Sequence, residues 1–275
     1  MKFNDLIAGM KRFGSNEEDI CFSELGVSIN KIKDNVIIAP WWEPDTLPTL
    51  GESELISEHA ASVKVWNINN DGIEITYIKT GIGACVFSNV LLALGLTNCK
   101  RIIFIGSVGS LNKEMKIGDI VIPEFSICGD GVSRYIASDD MYKDVFGEKV
   151  YPNNQMLECA KRKTDYICRE NNITWHIGKV FSVDTIFAQF AHIDTILETG
   201  CNAIEMETAV AFRISKLINI PLVALLNVSD NVISNKSLVS GRTEEENKYR
   251  KYVRREIFPE IIISMIKEFG NYNDL

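Results

Sequence analysis

Short β-branched runs alternate along this chain with longer stretches whose apolar residues recur at helical spacing. Val36-Ile37-Ile38-Ala39 is a buried-strand pattern stopped by Pro40, which has no N–H to give to a ladder. Residues 63–69 and 73–80 flank Asn70-Asp71-Gly72, three residues that tolerate the positive φ of a hairpin turn. Gly81-Ile82-Gly83 opens an apolar helical stretch over 84–96. A buried strand follows at 101–105, closed by the small residues Gly106-Ser107-Val108-Gly109. Further strands are expected at 119–127, 178–182, 203–206 and 221–228, and helices at 152–171 and 207–217. The last helical pattern, 243–269, is charged in its first half. Strands alternating with helices predict an α/β fold with a mostly parallel or mixed sheet. No repeat, low-complexity tract or Gly/Ser linker interrupts the pattern, which points to a single domain.

Composition narrows the class without naming a chemistry. Of 275 residues, 46% are apolar and 24% charged, ordinary globular values that exclude a disordered chain. A net charge of -8 argues against nucleic acid and anionic membranes as partners, since both need a positive surface. Apolar runs such as 221–228 are far short of a membrane span, and residues 1–10 have no signal-peptide pattern. The seven cysteines lie apart, the closest pair being Cys159 and Cys168, so reduced and mostly buried thiols in a cytoplasmic protein are expected. Neither CxxC nor HExxH occurs, and no metal site is expected.

In α/β sheets, ligands bind where loops leave the carboxyl ends of strands, so chemistry is sought there. Gly81-Ile82-Gly83-Ala84-Cys85-Val86 is half a dinucleotide fingerprint, but Val86 replaces its third glycine. Arg101 stands where an acid would hold the ribose, which speaks against NAD. Gly106-Ser107-Val108-Gly109-Ser110 offers a hydroxyl and backbone N–H groups suited to an oxyanion, or else a bare tight turn. Glu205-Met206-Glu207 sets two carboxylates at a strand-to-helix junction. One could accept from paired sugar hydroxyls, or simply favour the helix N-terminus. Asn227-Val228-Ser229-Asp230 ends the most hydrophobic strand, where desolvation of Asp230 would suit a general acid and capping is the plainer use.

Taken in order, these pieces resemble the nucleoside phosphorylase superfamily, which includes purine nucleoside phosphorylases, uridine phosphorylases and methylthioadenosine/adenosylhomocysteine nucleosidases. The resemblance rests on Thr80-Gly81-Ile82-Gly83, Gly106-Ser107-Val108-Gly109, Ile117-Gly118-Asp119-Ile120-Val121-Ile122-Pro123 and Asp130-Gly131-Val132-Ser133-Arg134-Tyr135. It continues through Phe181-Ser182-Val183-Asp184, Glu205-Met206-Glu207 and Val228-Ser229-Asp230. It covers residues 36–275 and leaves 1–35 as an N-terminal extension without a recognised counterpart. It implies one three-layer domain with a central mixed β-sheet flanked by helices, and a homo-oligomer, dimer or hexamer, whose partners are small-molecule nucleosides.

The resemblance also implies roles. Glu207 would accept from the ribose 2′- and 3′-hydroxyls with Met206 under the sugar. Asp230 would protonate or hydrogen-bond N7 of a purine. Ser107 would hold phosphate or the nucleophile. Val183, Ile186, Phe187, Ile204 and Ser229 would wall the base pocket. The acid at 230 favours purines, because the uridine enzymes lack one there and read uracil with a Gln and an Arg. Gln189 falls near the first of these, and Ala191 and His192 lie where the second should be.

Two departures matter. The phosphorylases carry a Gly-Asp-Pro-x-Arg loop after the first strand, where this chain has Ala39-Pro40-Trp41-Trp42-Glu43-Pro44-Asp45. They also carry an arginine where this chain has Phe104. Arg134, Arg242 or a neighbouring subunit is expected to supply the missing charge. Phosphorolysis, with inorganic phosphate as co-substrate and no cofactor, is the expected reaction. The alternatives are hydrolysis by water activated by Glu43, its pKa lifted by the adjacent tryptophans, and a non-catalytic nucleoside-binding module.

Overall fold

The computed structural model describes residues 1–57, 63–239 and 241–271. Two helices come first, α1 (Phe3–Arg12) and α2 (Glu17–Leu25). The Asn16 side chain caps α2 by accepting the Asp19 N–H, and Gly26 ends it in the left-handed conformation at φ 69°. Cys21, Leu25, Val27 and Ile32 are buried in one cluster with the third helix, so this leading segment packs into the common core.

The first half of the sheet is an ordered run. β1 (Asn35–Ala39), β2 (Glu52–Leu55), β3 (Lys64–Asn70) and β4 (Ile73–Lys79) precede helix α3 (Ala84–Leu94) and strand β5 (Arg101–Ser110). β3 and β4 form the expected hairpin, turning through Asp71 at φ 50° and Gly72 at φ 87°. β1 lies between β4 and β5, parallel to both.

The second half is β6 (Ile120–Gly129), α4 (Val132–Ala137), β7 (Lys149–Val150), α5 (Asn154–Asn171), β8 (Trp175–Val183), α6 (Ile186–Ala191), α7 (Ile193–Glu198), β9 (Ala203–Glu205), α8 (Thr208–Ile218) and β10 (Leu222–Asn231). β10 pairs with both β5 and β6, β6 with β8, β8 with β9, and β9 with β5. These five strands close a circuit, and β1, β4, β3 and β2 extend it to one side. Apolar residues line both faces. α3 and α8 cover one cluster, and α5 and the C-terminal helix cover the other. The outcome is the three-layer mixed α/β architecture.

β5 corrects the sequence reading. Gly106 to Ser110 is strand, not the loop that closes one. β10 pairs along it through Ser110 and β9 pairs from the other side at Gly109 and Ser110, so the small residues are held in a ladder on both flanks.

The 243–269 helical pattern also divides. α9 (Glu244–Tyr252) starts from a capping box in which Thr243 and Glu246 exchange hydrogen bonds. A π-helical turn (Val253–Ile257) follows, then α10 (Phe258–Asn271). Pro259 explains the break: it has no N–H for the Arg255 carbonyl, and its ring crowds that oxygen. The Phe258 N–H reaches back to Val253 instead, and the Thr49 hydroxyl donates to the Arg255 carbonyl at 2.9 Å.

Candidate active site

The carboxyl ends of β1, β9 and β10, with the middle of β5, surround a cavity of about 350 Å³. Of the residues expected at a site, Ser107, Ile186, Ile204, Met206, Glu207, Ser229 and Asp230 line it together, and Gln189 and Arg242 join them.

β10 delivers Asp230 through a β-bulge. Its register with β5 shifts between Val228 and Asp230, so Ser229 is the extra residue and the local twist re-aims the Asp230 side chain. That side chain is buried, with its Oδ1 2.5 Å from the Ser229 hydroxyl. Gly109 lies close opposite: a Cβ there would sit 3.2 Å from Asp230 Oδ2 and 3.1 Å from Ile204, a tight fit that these side chains would have to yield to. Burial pushes the Asp230 carboxyl up, against the opposing pull of Ser229, Arg242 and Arg250.

Glu205 and Glu207 divide the work of their junction. Glu205 is fully engaged, accepting the Glu207 and Thr208 N–H groups at 2.6 and 2.7 Å and the hydroxyls of Ser182 and Thr208. It thereby fixes the start of α8. Glu207 accepts from the Gly83 N–H at 2.7 Å and faces the cavity. Burial first, then the nearby Glu205 charge, push its pKa up to about 8. A carboxyl in that state gains from a ligand whose hydroxyls donate to its charged form.

The third wall is cationic. Arg242, Arg250 and Arg254 all face the cavity beside Ser107, and the Arg250 guanidinium donates to the Ser107 hydroxyl at 2.8 Å. Arg242 is held by the carbonyls of Leu238, at 2.6 Å, and Ser229. Burial and the neighbouring Arg254 and Arg242 lower the Arg250 pKa to about 10, and burial with Arg255 lowers that of Arg254. Both remain cations at neutral pH. Buried Nε atoms of Arg250 and Arg254 find no hydrogen-bond partner among the described residues. Crowded, partly desolvated cations lining a cavity are matched by a multivalent oxyanion.

Sequence reasoning missed Arg250 and Arg254, noting only that the first half of the last helical pattern is charged. Their spacing of four residues, one face of a helix, was the available signal. Gly118 gives that helix room: at φ 95° it has no side chain, and a Cβ would meet the Tyr249 ring at 2.5 Å and the Arg250 Cα at 3.1 Å.

Other expected residues lie elsewhere. Glu43 is outside the cavity lining, bound to Lys79 at 2.7 Å and Lys64 at 3.2 Å. The Lys79 hydrogen bond, above all, holds its carboxyl below the usual range, the reverse of the shift a water-activating base needs. Arg134 is half exposed, 3.9 Å from Asp144, and does not line the cavity. Phe187 is 93% exposed, because the short α6 turns it outward while Ile186 and Gln189 face in. Val183 is buried behind the wall against Ile204, Phe181 and Met206. Phe104 packs against the tilted ring of Phe87 with centroids 4.7 Å apart, a fully buried core position away from the cavity lining. Among the described residues no acidic, His or Cys cluster could hold a metal, and no helix is long and apolar enough to cross a membrane. All seven cysteines are free, Cys85 alone exposed.

A family model described as "Phosphorylase superfamily" matches residues 45–257. A guanosine phosphorylase from Halorubrum lacusprofundi is 24% identical over 208 residues, 75% of this chain and 81% of its own length. A 5′-methylthioadenosine/S-adenosylhomocysteine nucleosidase from Buchnera aphidicola is 30% identical over 61% of this chain and 65% of its own. In structure, a purine nucleoside phosphorylase from Toxoplasma gondii, in complex with immucillin-H, superposes with a TM-score of 0.71 at 16% identity. That alignment covers 89% of this chain and 98% of the other.

Proposed function

We propose that this chain, which belongs to the phosphorylase superfamily, cleaves the N-glycosidic bond of a purine nucleoside by phosphorolysis. The observation that carries the reading is the cluster of Arg242, Arg250 and Arg254 beside Ser107, in one cavity with Asp230 and Glu207.

Each group then has a task. Arg250, Arg254 and the Ser107 hydroxyl hold inorganic phosphate by charge-assisted hydrogen bonds. Glu207 accepts from the ribose 2′- and 3′-hydroxyls, with Met206 beneath the sugar. The reaction breaks the C1′–N9 bond and forms a bond from C1′ to a phosphate oxygen. The bonding pair leaves with the base, and the Asp230 carboxyl gives its proton to N7 to neutralise that charge. Free base and ribose 1-phosphate result, and solvent reprotonates Asp230. The raised pKa of Asp230 keeps it a proton donor at higher pH than a solvated aspartate. Hydrolysis is disfavoured because Glu43 is ion-paired outside the cavity. A homo-oligomer is part of this reading, supported by the exposed apolar side chains of Ile82 in the cavity lining and of Phe187 and Phe190 on the helix that brings Ile186 and Gln189 to it. Sedimentation of a clean monomer at micromolar concentration would remove that part.

Base release from inosine, adenosine, methylthioadenosine and uridine, assayed side by side, tests the substrate. A purine nucleoside should be turned over fastest, and uridine as the clear best substrate would sink the reading.

A further inference from the structure

We infer that Trp42 is a positioning residue for phosphate, its ring face holding the Arg254 guanidinium in place while leaving that group's N–H donors free. This rests on the reading of Arg250 and Arg254 as the phosphate site.

The Arg254 guanidinium carbon lies 5.4 Å from the centroid of the Trp42 ring. Trp42 is itself held in place. Trp42 is only 3% exposed, the fully buried Tyr77 donates to its carbonyl at 2.9 Å, and the Phe258 ring meets it edge-on with centroids 5.9 Å apart. Its neighbour Trp41 also lines the cavity but is 68% exposed. The two adjacent tryptophans therefore differ in use, one a packed support and the other an open wall.

A ring is a particular choice of support. A carboxylate would hold Arg254 as firmly, but it would neutralise the charge and occupy the in-plane donors that an oxyanion needs. A ring face attracts the cation from above its plane and competes for none of those donors. Among the described residues no acceptor takes the buried Nε of Arg254, as expected of support by a ring and not by a carboxylate. The helix cooperates: Arg254 lies within the π turn that Pro259 imposes, and Phe258, the next residue after that turn, packs on the same tryptophan. The segment after β1 and the C-terminal helix thus meet through this contact.

The test compares Trp42→Leu and Trp42→Phe, which both shrink the side chain while only the second keeps a ring face. Phosphate KM, nucleoside KM and calorimetric binding of inorganic phosphate are measured on the full chain, with Arg250→Met as reference. Trp42→Leu should weaken phosphate about fivefold to tenfold and leave the nucleoside KM within about twofold, and Phe should restore most of the loss. Replacing the tryptophans with fluorinated analogues, which drain the ring face without changing the fold, should weaken phosphate in proportion to fluorination. That measurement decides the matter if Trp42→Leu does not fold. Phosphate binding unchanged by Leu and by fluorination, with Arg250→Met impaired, overturns the role of Trp42 and leaves the phosphate site standing. Phe as damaging as Leu, with no fluorination trend, overturns it too. No phosphate binding by the unaltered protein overturns both.

Discussion

The two walls of the cavity are built on different foundations. Asp230 and Glu207 sit where β10 and β9 end, on backbone that the sheet holds from both sides. Arg250 and Arg254 come from a helix that crosses the sheet's end and is seated by Gly118, Thr49 and Trp42. The strand-end wall carries acids raised in pKa by burial, and the helix wall carries cations lowered in pKa by burial and mutual repulsion. The difference teaches that, in the proposed reaction, the two substrates can be perturbed separately. Damage to the strand ends should appear in nucleoside chemistry, and damage to the helix in the response to phosphate.

The sharpest break is expected at Asp230. Asp230→Ala should lower kcat by about 10² to 10⁴, the range for a lost general acid, with phosphate KM little changed. In the unaltered enzyme kcat/KM should fall as pH rises through the raised Asp230 pKa, because the proton donor is then lost. In Asp230→Asn that alkaline limb should vanish. A limb that persists assigns it to another group.

On the other wall, Arg250→Met removes charged hydrogen bonds of roughly 1.5–3 kcal/mol, so phosphate KM should rise about tenfold to a hundredfold. Steady-state kinetics at varied phosphate checks this. A nucleoside KM raised by the same factor would erase the division between the walls.

Glu207 gives a smaller effect, read from stability in the empty protein. Its folded pKa, about 8, exceeds the ordinary carboxyl value, so the folded state holds a proton that the unfolded chain has lost. Its stabilising contribution is full below the ordinary carboxyl range and declines as pH rises toward about 8. The melting temperature should therefore drop across that window relative to Glu207→Gln, whose curve should be flatter. Parallel curves would place the proton elsewhere. The smallest effect is expected at Glu43, which the two lysines hold outside the cavity. Glu43→Gln should leave kcat and both KM values within about twofold, and a loss of turnover would return it to the mechanism.

The strand-end wall was legible in the sequence for a physical reason. Strand ends announce themselves by period, by β-branched runs and by the small or acidic residues that stop them, so Glu207 and Asp230 could be placed before any contact was known. The β5 segment was misread because glycines look like a turn, and only pairing with β10 and β9 shows them held in a ladder. The helix wall was not legible because Arg250 reaches Ser107 across 143 positions of chain, and Arg254 joins the same cavity from beside it. Their burial depends on where the helix lands. Phe104 packs against Phe87 in the core, and the cavity's arginines come instead from the C-terminal part of the chain. Phe187 failed for a simpler cause, since a six-residue helix turns one side chain in and the next out.

The central claim is that a cationic helix wall makes phosphate the nucleophile. Its most direct measurement is the sugar product from a purine nucleoside with and without inorganic phosphate. The account predicts ribose 1-phosphate, formed only when phosphate is present and at a rate that saturates with it. Free ribose released at a rate independent of phosphate would contradict it.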